Sequence, residues 1–228
     1  MNTSKNILLK KVPIFAKIDK DDLKDIRSIA EVKKFKKDDM IFSEGDEGES
    51  MFIILSGMVK VFKVSTSGQV KTLDIMEKGD FLGEMAILDK EIRSATVTAI
   101  EDTEVMVLKK SIFEKYIKTN PIISLKIMKA LCARLRKADK EIEALSFQNV
   151  LGRVAISLLD LMEKYGEKTD RGIKINLKLT HQELADMVGT AREMVSRTLV
   201  SFKKNNCIDI DDHYIYITNV KELKEMIY

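Results

Sequence analysis

The 228-residue chain reads as an α+β protein in three parts: an N-terminal β jelly-roll domain over residues 1–120, a long helix over 121–146, and a C-terminal winged helix-turn-helix domain over 147–228. Three observations predict this. From Val32 to Leu108 apolar and polar residues alternate, and Gly45, Gly48, Gly57, Gly68 and Gly79 punctuate the alternation at intervals of roughly ten residues, as expected of the short strands of a jelly roll. After Asn120-Pro121 the apolar residues recur at steps of three and four instead, the period of a helix. Near the C-terminus a capped helix, a glycine and a second, charged helix precede two alternating strands, which is the order of a winged helix-turn-helix.

Length and composition agree with two modest domains and a sizeable core. Lys and Arg number 39 against 36 Asp and Glu, a net charge of +3, so any surface for a polyanion has to be local. The N-terminus, MNTSKNILLKK, lacks the apolar run of a signal peptide, and no stretch has the length of a membrane span, so a cytoplasmic protein with no membrane partner is expected. Cys132 and Cys207 are too few for a disulfide framework, and neither they nor His181 and His213 have metal-ligand spacing. No metal and no required cofactor are implied.

In chain order, residues 7–30 carry apolar positions at helical spacing, interrupted by Pro13 and restarted after Asp19, and are expected as short helices. Strands are expected at Met51–Leu55, Val59–Val64 and Lys71–Ile75. The one helical interruption of the β region lies in Gly79–Val97, GDFLGEMAILDKEIRSATV. There the small, uncharged run after Gly83-Glu84 opens a short helix whose first N–H groups make an anion seat. Arg93 and Ser94 follow, then a strand from Ala95 to Ala99. A helix N-terminus, a guanidinium and a hydroxyl suit a phosphate. Glu84 repels phosphate but accepts from a sugar hydroxyl, and a ribose with its phosphate tied back in a ring satisfies both.

This stretch resembles the phosphate-binding cassette of cyclic-nucleotide-binding domains, and the β region around it resembles that fold along its length, including the EGDEGESMFIILSG turn and strand. The resemblance implies that Gly83 and Glu84 open the cassette and that Glu84 takes the ribose 2′-OH. Arg93 and Ser94 would hold the cyclic phosphate, and the N–H groups of Met85 and Ala86 its remaining oxygens. The competing reading is that Glu84 and Arg93 pair with each other structurally.

The long helix, expected from Ile122 to Leu145, sets Met128, Leu131, Leu135, Ala138, Ile142 and Leu145 on one seam, with Lys126, Lys129, Arg134, Arg136, Lys137, Lys140 and Glu141 elsewhere. A helix so charged outside a heptad seam pairs with its own copy, which makes it a dimerisation helix and the protein a homodimer. A further amphipathic helix follows at Val150–Tyr165, then an exposed, charged loop from Gly166 to Gly172 and a strand from Ile173 to Leu179.

Thr180 with Glu183 forms a capping box that opens a helix burying Leu184 and Val188, and Gly189 ends it. The second helix, Arg192 to Lys203, has Val195, Leu199 and Phe202 at core spacing. From Arg192 through Lys204 four cations face one acid, 4 − 1 = +3, so the charge excess is local to this element. Such a helix enters the DNA major groove. Arg192 and Arg197 have the fork geometry that reads guanine, and Glu193 accepts from cytosine N4. Thr180, His181 and Gln182 rest on phosphates. The alternation after Cys207 makes a two-stranded wing, with Asp211, Asp212 and His213 at its turn and His213 as a further DNA contact.

With these parts in this order, the chain resembles, nearly end to end, the bacterial one-component transcription regulators of the CRP/FNR family. The recognition-helix pattern of that family is matched by Arg192, Glu193, Val195 and Arg197, and Ser196 matches the FNR branch. The resemblance implies a small-molecule effector, foremost a cyclic nucleotide such as cAMP, and double-stranded DNA with a palindromic site as partner. It also makes RNA polymerase a candidate partner. Two departures stand out. The Thr-Ser pair that contacts adenine in cAMP-responsive members falls at Ala138 and Asp139, and an FNR-type iron-sulfur cluster lacks its thiolates. The alternatives are a regulator of the same fold with another effector or none and, more distantly, an enzyme acting on cyclic nucleotides.

Overall fold

The computed structural model describes residues 30–227. The helices expected over residues 7–30 thus lie outside the described residues, Ala30 apart. The chain divides into two compact units. One takes residues up to Lys63 and Leu73–Arg134, the other Val64–Thr72 and Leu135 onward.

The first unit holds two four-stranded sheets, apart from Val64 at the end of one strand and Val70–Thr72 at the start of the next. Strands β1 (Glu31–Phe35), β8 (Thr103–Lys109), β3 (Ser50–Ser56) and β6 (Phe81–Leu82) form one, in the order β1-β8-β3-β6. Strands β2 (Met40–Phe42), β7 (Thr96–Ala99), β4 (Met58–Val64) and β5 (Val70–Glu77) form the other, in the order β2-β7-β4-β5. β1 and β8 pair antiparallel from Glu31↔Val107 to Phe35↔Thr103, and β3 pairs β8 from Ser50↔Lys109 to Ile54↔Val105 before a register shift. The strands expected from the alternation are present, each extended by one to three residues. The expected strand from Ala95 starts one residue later, at Thr96.

β3 is apolar on both faces because it is buried on both. Phe52 and Ile54 join Val59, Met76, Leu82, Val97, Val105 and Val107 in one core. Met51, Ile53 and Leu55 point the other way, into a second core with Phe81, Ile87, Met106 and Leu108. Helices complete that second core: α1 (Met85–Leu88), α2 (Lys110–Thr119), which contributes Phe113 and Tyr116, and α3 (Pro121–Phe147), which contributes Ile123 and Ile127. Pro121 sits in the first turn of α3, where its missing N–H costs nothing.

In the second unit α4 (Val150–Tyr165) is capped by the Asn149 side chain, which accepts from Gly152 N at 2.9 Å. α4 packs against α5 (His181–Val188) and α6 (Arg192–Lys204). Val154 and Leu158 of α4, Leu184 and Val188 of α5, and Val195, Leu199 and Phe202 of α6 are all buried. A four-stranded sheet, order β11-β12-β10-β9, lies in the same unit: β9 (Gly166–Thr169), β10 (Gly172–Ile175), β11 (Ile208–Asp211) and β12 (Tyr214–Ile217). α7 (Val220–Glu225) follows it.

Residues Gly166–Gly172 therefore do not form the loop expected of them. They make β9 and a turn into β10, paired from Gly172↔Thr169 to Ile175↔Gly166. Sequence pattern could not show this strand, because β9 is exposed at every position and carries no alternation. It exists through backbone pairing alone. The strand expected at Ile173–Leu179 ends at Ile175.

The helix-turn-helix signals appear as geometry. Thr180 Oγ1 accepts from Glu183 N at 3.1 Å, and Glu183 Oε2 accepts from Thr180 N at 2.7 Å, a complete capping box. Gly189 ends α5 in the left-handed region at φ 67°, a conformation that costs residues with a Cβ more than glycine. Thr180→Ala should lower the stability of this unit by about 0.5–2 kcal/mol. Hydrogen exchange checks this locally, since the Glu183 amide should lose protection.

Candidate functional site

In the first unit, Gly83, Glu84 and Arg93 converge where β6 passes into α1. Gly83 has φ 80°, and a Cβ there would lie 2.5 Å from Arg93 Nη1. The close approach is used: Arg93 Nη1 donates to Gly83 O at 2.6 Å, and Nη2 donates to Ser50 O at 2.5 Å. The guanidinium also lies over the Phe42 ring, 4.4 Å from its centroid, and 5.7 Å from that of Phe52. Arg93 is only 4 % exposed, and burial pushes its pKa below the usual arginine value, against the charges of Glu84 and two other acids.

Glu84 is 0 % exposed. Its Oε1 accepts from Arg134 Nη1 at 2.5 Å, while Arg134 Nη2 donates to Phe81 O at 2.5 Å and the guanidinium lies over the Phe81 ring. The ion-pair partner of Glu84 is thus Arg134 of α3, not Arg93 as the structural alternative had it. Burial raises the Glu84 carboxyl above the ordinary range, and the charge of Arg134 pulls only part of the way back. Two polar atoms in this buried cluster have no partner: Glu84 Oε2, an acceptor, and Arg93 Nε, a donor. Unpaired buried polar atoms of this kind are uncommon and costly.

Met85 and Ala86 are the first residues of α1, where N–H groups have no intrahelical acceptor. The next two amides, of Ile87 and Leu88, donate to Glu84 O. Ala86 is buried against Gly48, where a Cβ would come within 2.4 Å of the Ala86 methyl. Ser94 is exposed.

Arg134 was not singled out by sequence reasoning, which placed it on the charged flank of the dimer seam. A signal was present: it stands seven residues after Ile127 and eleven after Ile123, and so shares the face of the two α3 residues that are buried. The seam itself is largely uncovered. Leu135 is 64 % and Ile142 62 % exposed, Met128 and Leu145 are also exposed, and Leu131 is half-buried. Ala138, placed both on the seam and beside Asp139 for base contact, is exposed with Asp139 on the part of α3 that belongs to the second unit.

In the second unit Arg192, Glu193 and Arg197 are exposed on α6, and Ser196 is half-buried. Ser196 Oγ donates to Arg192 O at 3.0 Å and lies 2.7 Å from His181 Nδ1, so the first residue of α5 and the second turn of α6 are tied together. Gln182 donates to Asp186 at 2.7 Å. His213 and Asp212 form the two-residue turn between β11 and β12, with φ of 65° and 45°, the left-handed pair of a type I′ hairpin. The wing is braced by Asp209, which accepts from Arg171 at 2.6 Å and pairs with Lys203 of α6 at 2.9 Å. The Arg171 hydrogen bond is the main cause of its carboxyl lying well below the usual range. Arg171 also reaches Asp211 and lies over Tyr216.

Among the described residues, no helix is long and apolar enough to cross a membrane, and no group of His, Cys, Asp and Glu is placed to hold a metal ion.

Comparison with known proteins gives this geometry its context. Residues 32–120 match the cyclic nucleotide-binding domain, and residues 152–226 the Crp-like helix-turn-helix domain. The "Cyclic AMP receptor protein" of Thermus thermophilus is 33% identical over 186 residues, 82% of this chain and 83% of its own length. The "Anaerobic regulatory protein" of Bacillus subtilis is 33% identical over 188 residues, 82% of this chain and 79% of its own. Among solved structures, a CooA variant from Carboxydothermus hydrogenoformans superposes with a TM-score of 0.78 at 26% identity, covering 90% of each chain. A cyclic nucleotide-binding domain, a long helix and a Crp-like helix-turn-helix, with relatives at this identity over most of their length, place the chain in the CRP/FNR family of DNA-binding transcription regulators.

Proposed function

We propose that this regulator is a homodimer whose DNA affinity is set by a cyclic nucleotide, such as cAMP, held between Glu84 and Arg93. The observation that carries the effector class is the pair of orphaned atoms. Glu84 Oε2 lacks a donor and Arg93 Nε lacks an acceptor. A ribose hydroxyl supplies the first and a phosphate oxygen the second, and a cyclic nucleotide carries both on one rigid ring. The N–H groups of Met85 and Ala86 and the Ser94 hydroxyl complete the phosphate seat, with Gly83 allowing the close approach. Ala138 and Asp139 stand where the family resemblance puts base contacts. Sugar and phosphate therefore carry the recognition, and the identity of the base is secondary.

Control follows from Arg134. A hydroxyl arriving at Glu84 lands on a carboxylate already bonded to α3, so ligand binding alters the balance of forces on that helix directly. The same helix carries the exposed seam of Met128, Leu131, Leu135, Ala138, Ile142 and Leu145, which we assign to the dimer contact. In this reading residues 1–120 sense the effector, 121–146 dimerise and 147–228 bind DNA. Arg192, Glu193, Ser196 and Arg197 face bases, while Thr180, His181, Gln182 and His213 face the backbone. The two recognition helices then address half-sites of a palindrome about 34–36 Å apart. RNA polymerase is the partner that such a DNA-bound dimer would meet, in the cytoplasm. The cassette is an input and catalyses nothing.

Three measurements test this. Calorimetry with cAMP and with cGMP should detect binding to the wild type, and Arg93→Ala should weaken it by about 2–5 kcal/mol, or about 1.5 to 3.5 decades; equal or absent binding in both proteins removes the cyclic nucleotide. Leu135→Asp with Ile142→Asp should turn a dimer into a monomer in sedimentation, because a charge is costly in a buried seam, and an unchanged dimer would place the interface elsewhere. The third is ligand-free. The Glu84 carboxyl titrates higher in the folded state than in the unfolded chain, so its contribution to stability is full below the ordinary carboxylate range. That contribution is lost as pH rises through the raised value. Glu84→Gln should flatten this part of the stability profile, and an identical pH dependence in both proteins would count against the buried, raised carboxyl.

A further inference from the structure

One residue of α6 is explained neither by the core nor by the charge pattern. Val200 is 68 % exposed. The buried face of α6 consists of Val195, Thr198, Leu199 and Phe202. At about 100° per residue, Val200 falls on the opposite side, between the directions of Ser196 and Arg197 and close to that of Glu193. It thus stands in the middle of the face assigned to DNA. A β-branched residue is a poorer helix former than the Lys and Arg around it, and in solvent it gains no burial in return.

Its neighbour one turn earlier adds to the case. Ser196 Oγ lies 3.0 Å from Arg192 O, and a serine hydroxyl has one proton. His181 Nδ1 lies 2.7 Å from the same oxygen, so whether the hydroxyl donates to Arg192 O or to the imidazole, both of its near partners belong to the protein. The hydroxyl proton is spent inside the protein, which leaves no free donor at the centre of the reading face. What that centre offers a partner is the pair of Val200 methyl groups.

In the major groove the apolar group a base pair presents is the thymine C5 methyl. We propose that Val200 is a specificity-determining residue that packs on a thymine methyl in each half-site. It lies three residues beyond Arg197, about 4.5 Å along the helix axis and close to one base step of about 3.4 Å. The thymine is therefore in the base pair next to the one Arg197 contacts. The inference rests on the assignment of α6 as the DNA-reading helix and adds to it the identity of one base.

The experiment is a selection of sites from a random duplex pool by the full chain, with cAMP, with cGMP and with neither, followed by single replacement of each selected thymine by deoxyuridine. Uracil pairs as thymine does and lacks only the methyl. Wild type should lose about fourfold in affinity at one thymine per half-site, the value of one buried methyl. Val200→Ser should show no difference between thymine and uracil there, and Val200→Thr, which keeps one methyl in place, should retain part of it. Circular dichroism establishes that the variants fold. The proposal is overturned, with the DNA assignment standing, if sites are selected but no uracil replacement matters or the penalty persists in Val200→Ser. If no site is enriched under any condition, the DNA assignment of α6 fails and the proposal falls with it.

Discussion

The rest of the first unit is arranged around a carboxylate that is expensive to keep. Glu84 is fully buried and its charge is opposed by desolvation, so it needs Arg134, and Arg134 can reach it only because Ile123 and Ile127 seat α3 on the sheet. A buried ion pair of this kind is weak evidence for stability, since desolvation offsets much of the attraction. Its use lies in fixing a geometry. Arg134 bonds Phe81 O as well as Glu84, which ties the end of β6 and the start of α1 to one point on the long helix. The side chain of Arg134 retains contact with solvent, 31% by area, whereas Glu84 has none. The arginine is therefore the partner able to leave without being stranded.

Arg93 shows the complementary arrangement. Its two terminal nitrogens are held by backbone carbonyls and its face by two phenylalanine rings, so the guanidinium is oriented without any carboxylate partner. Its hydrogen bonds go to neutral acceptors, and the nearby acids, Glu84 foremost, act on it only through their field. In the proposed reading the cluster is preorganised in position, with one donor and one acceptor left over, so little ordering would remain to be done on binding.

Much of this was legible in the sequence where side-chain pattern and backbone role coincide. Thr180 and Glu183 predicted a capping box because both partners are local, and Gly189 predicted a stop because the left-handed conformation favours glycine. The spacing of Gly83, Glu84 and Arg93 pointed to one local cluster, and the three do converge, Arg93 donating to Gly83 O; that the cluster seats sugar and phosphate is the reading proposed for it. Two features were not legible, for different reasons. β9 has no apolar face, so periodicity carries no trace of it, and the strand depends on hydrogen bonds to β10 that only the folded hairpin supplies. The Glu84–Arg134 bond joins residues fifty positions apart. A lone arginine among the charges of a long helix gives no hint of its partner unless the buried face of that helix is known first.

The pairing of β1 with β8 sets an order of events during synthesis. Glu31 lies opposite Val107 and Phe35 opposite Thr103, so the first described strand has no neighbour on the sheet until the last strand of the roll has emerged. The core beneath it still lacks Ile123 and Ile127 at that moment. A domain whose contacts span most of its own length closes late and slowly, because the loop must be ordered before any contact rewards it. Until β8 leaves the ribosome, β1 is an unpaired strand with strand neighbours available on other nascent chains. The helix that bears the counter-ion of Glu84 is in this sense also the last piece of the roll, since Ile123 and Ile127 close its core only once that helix has been made.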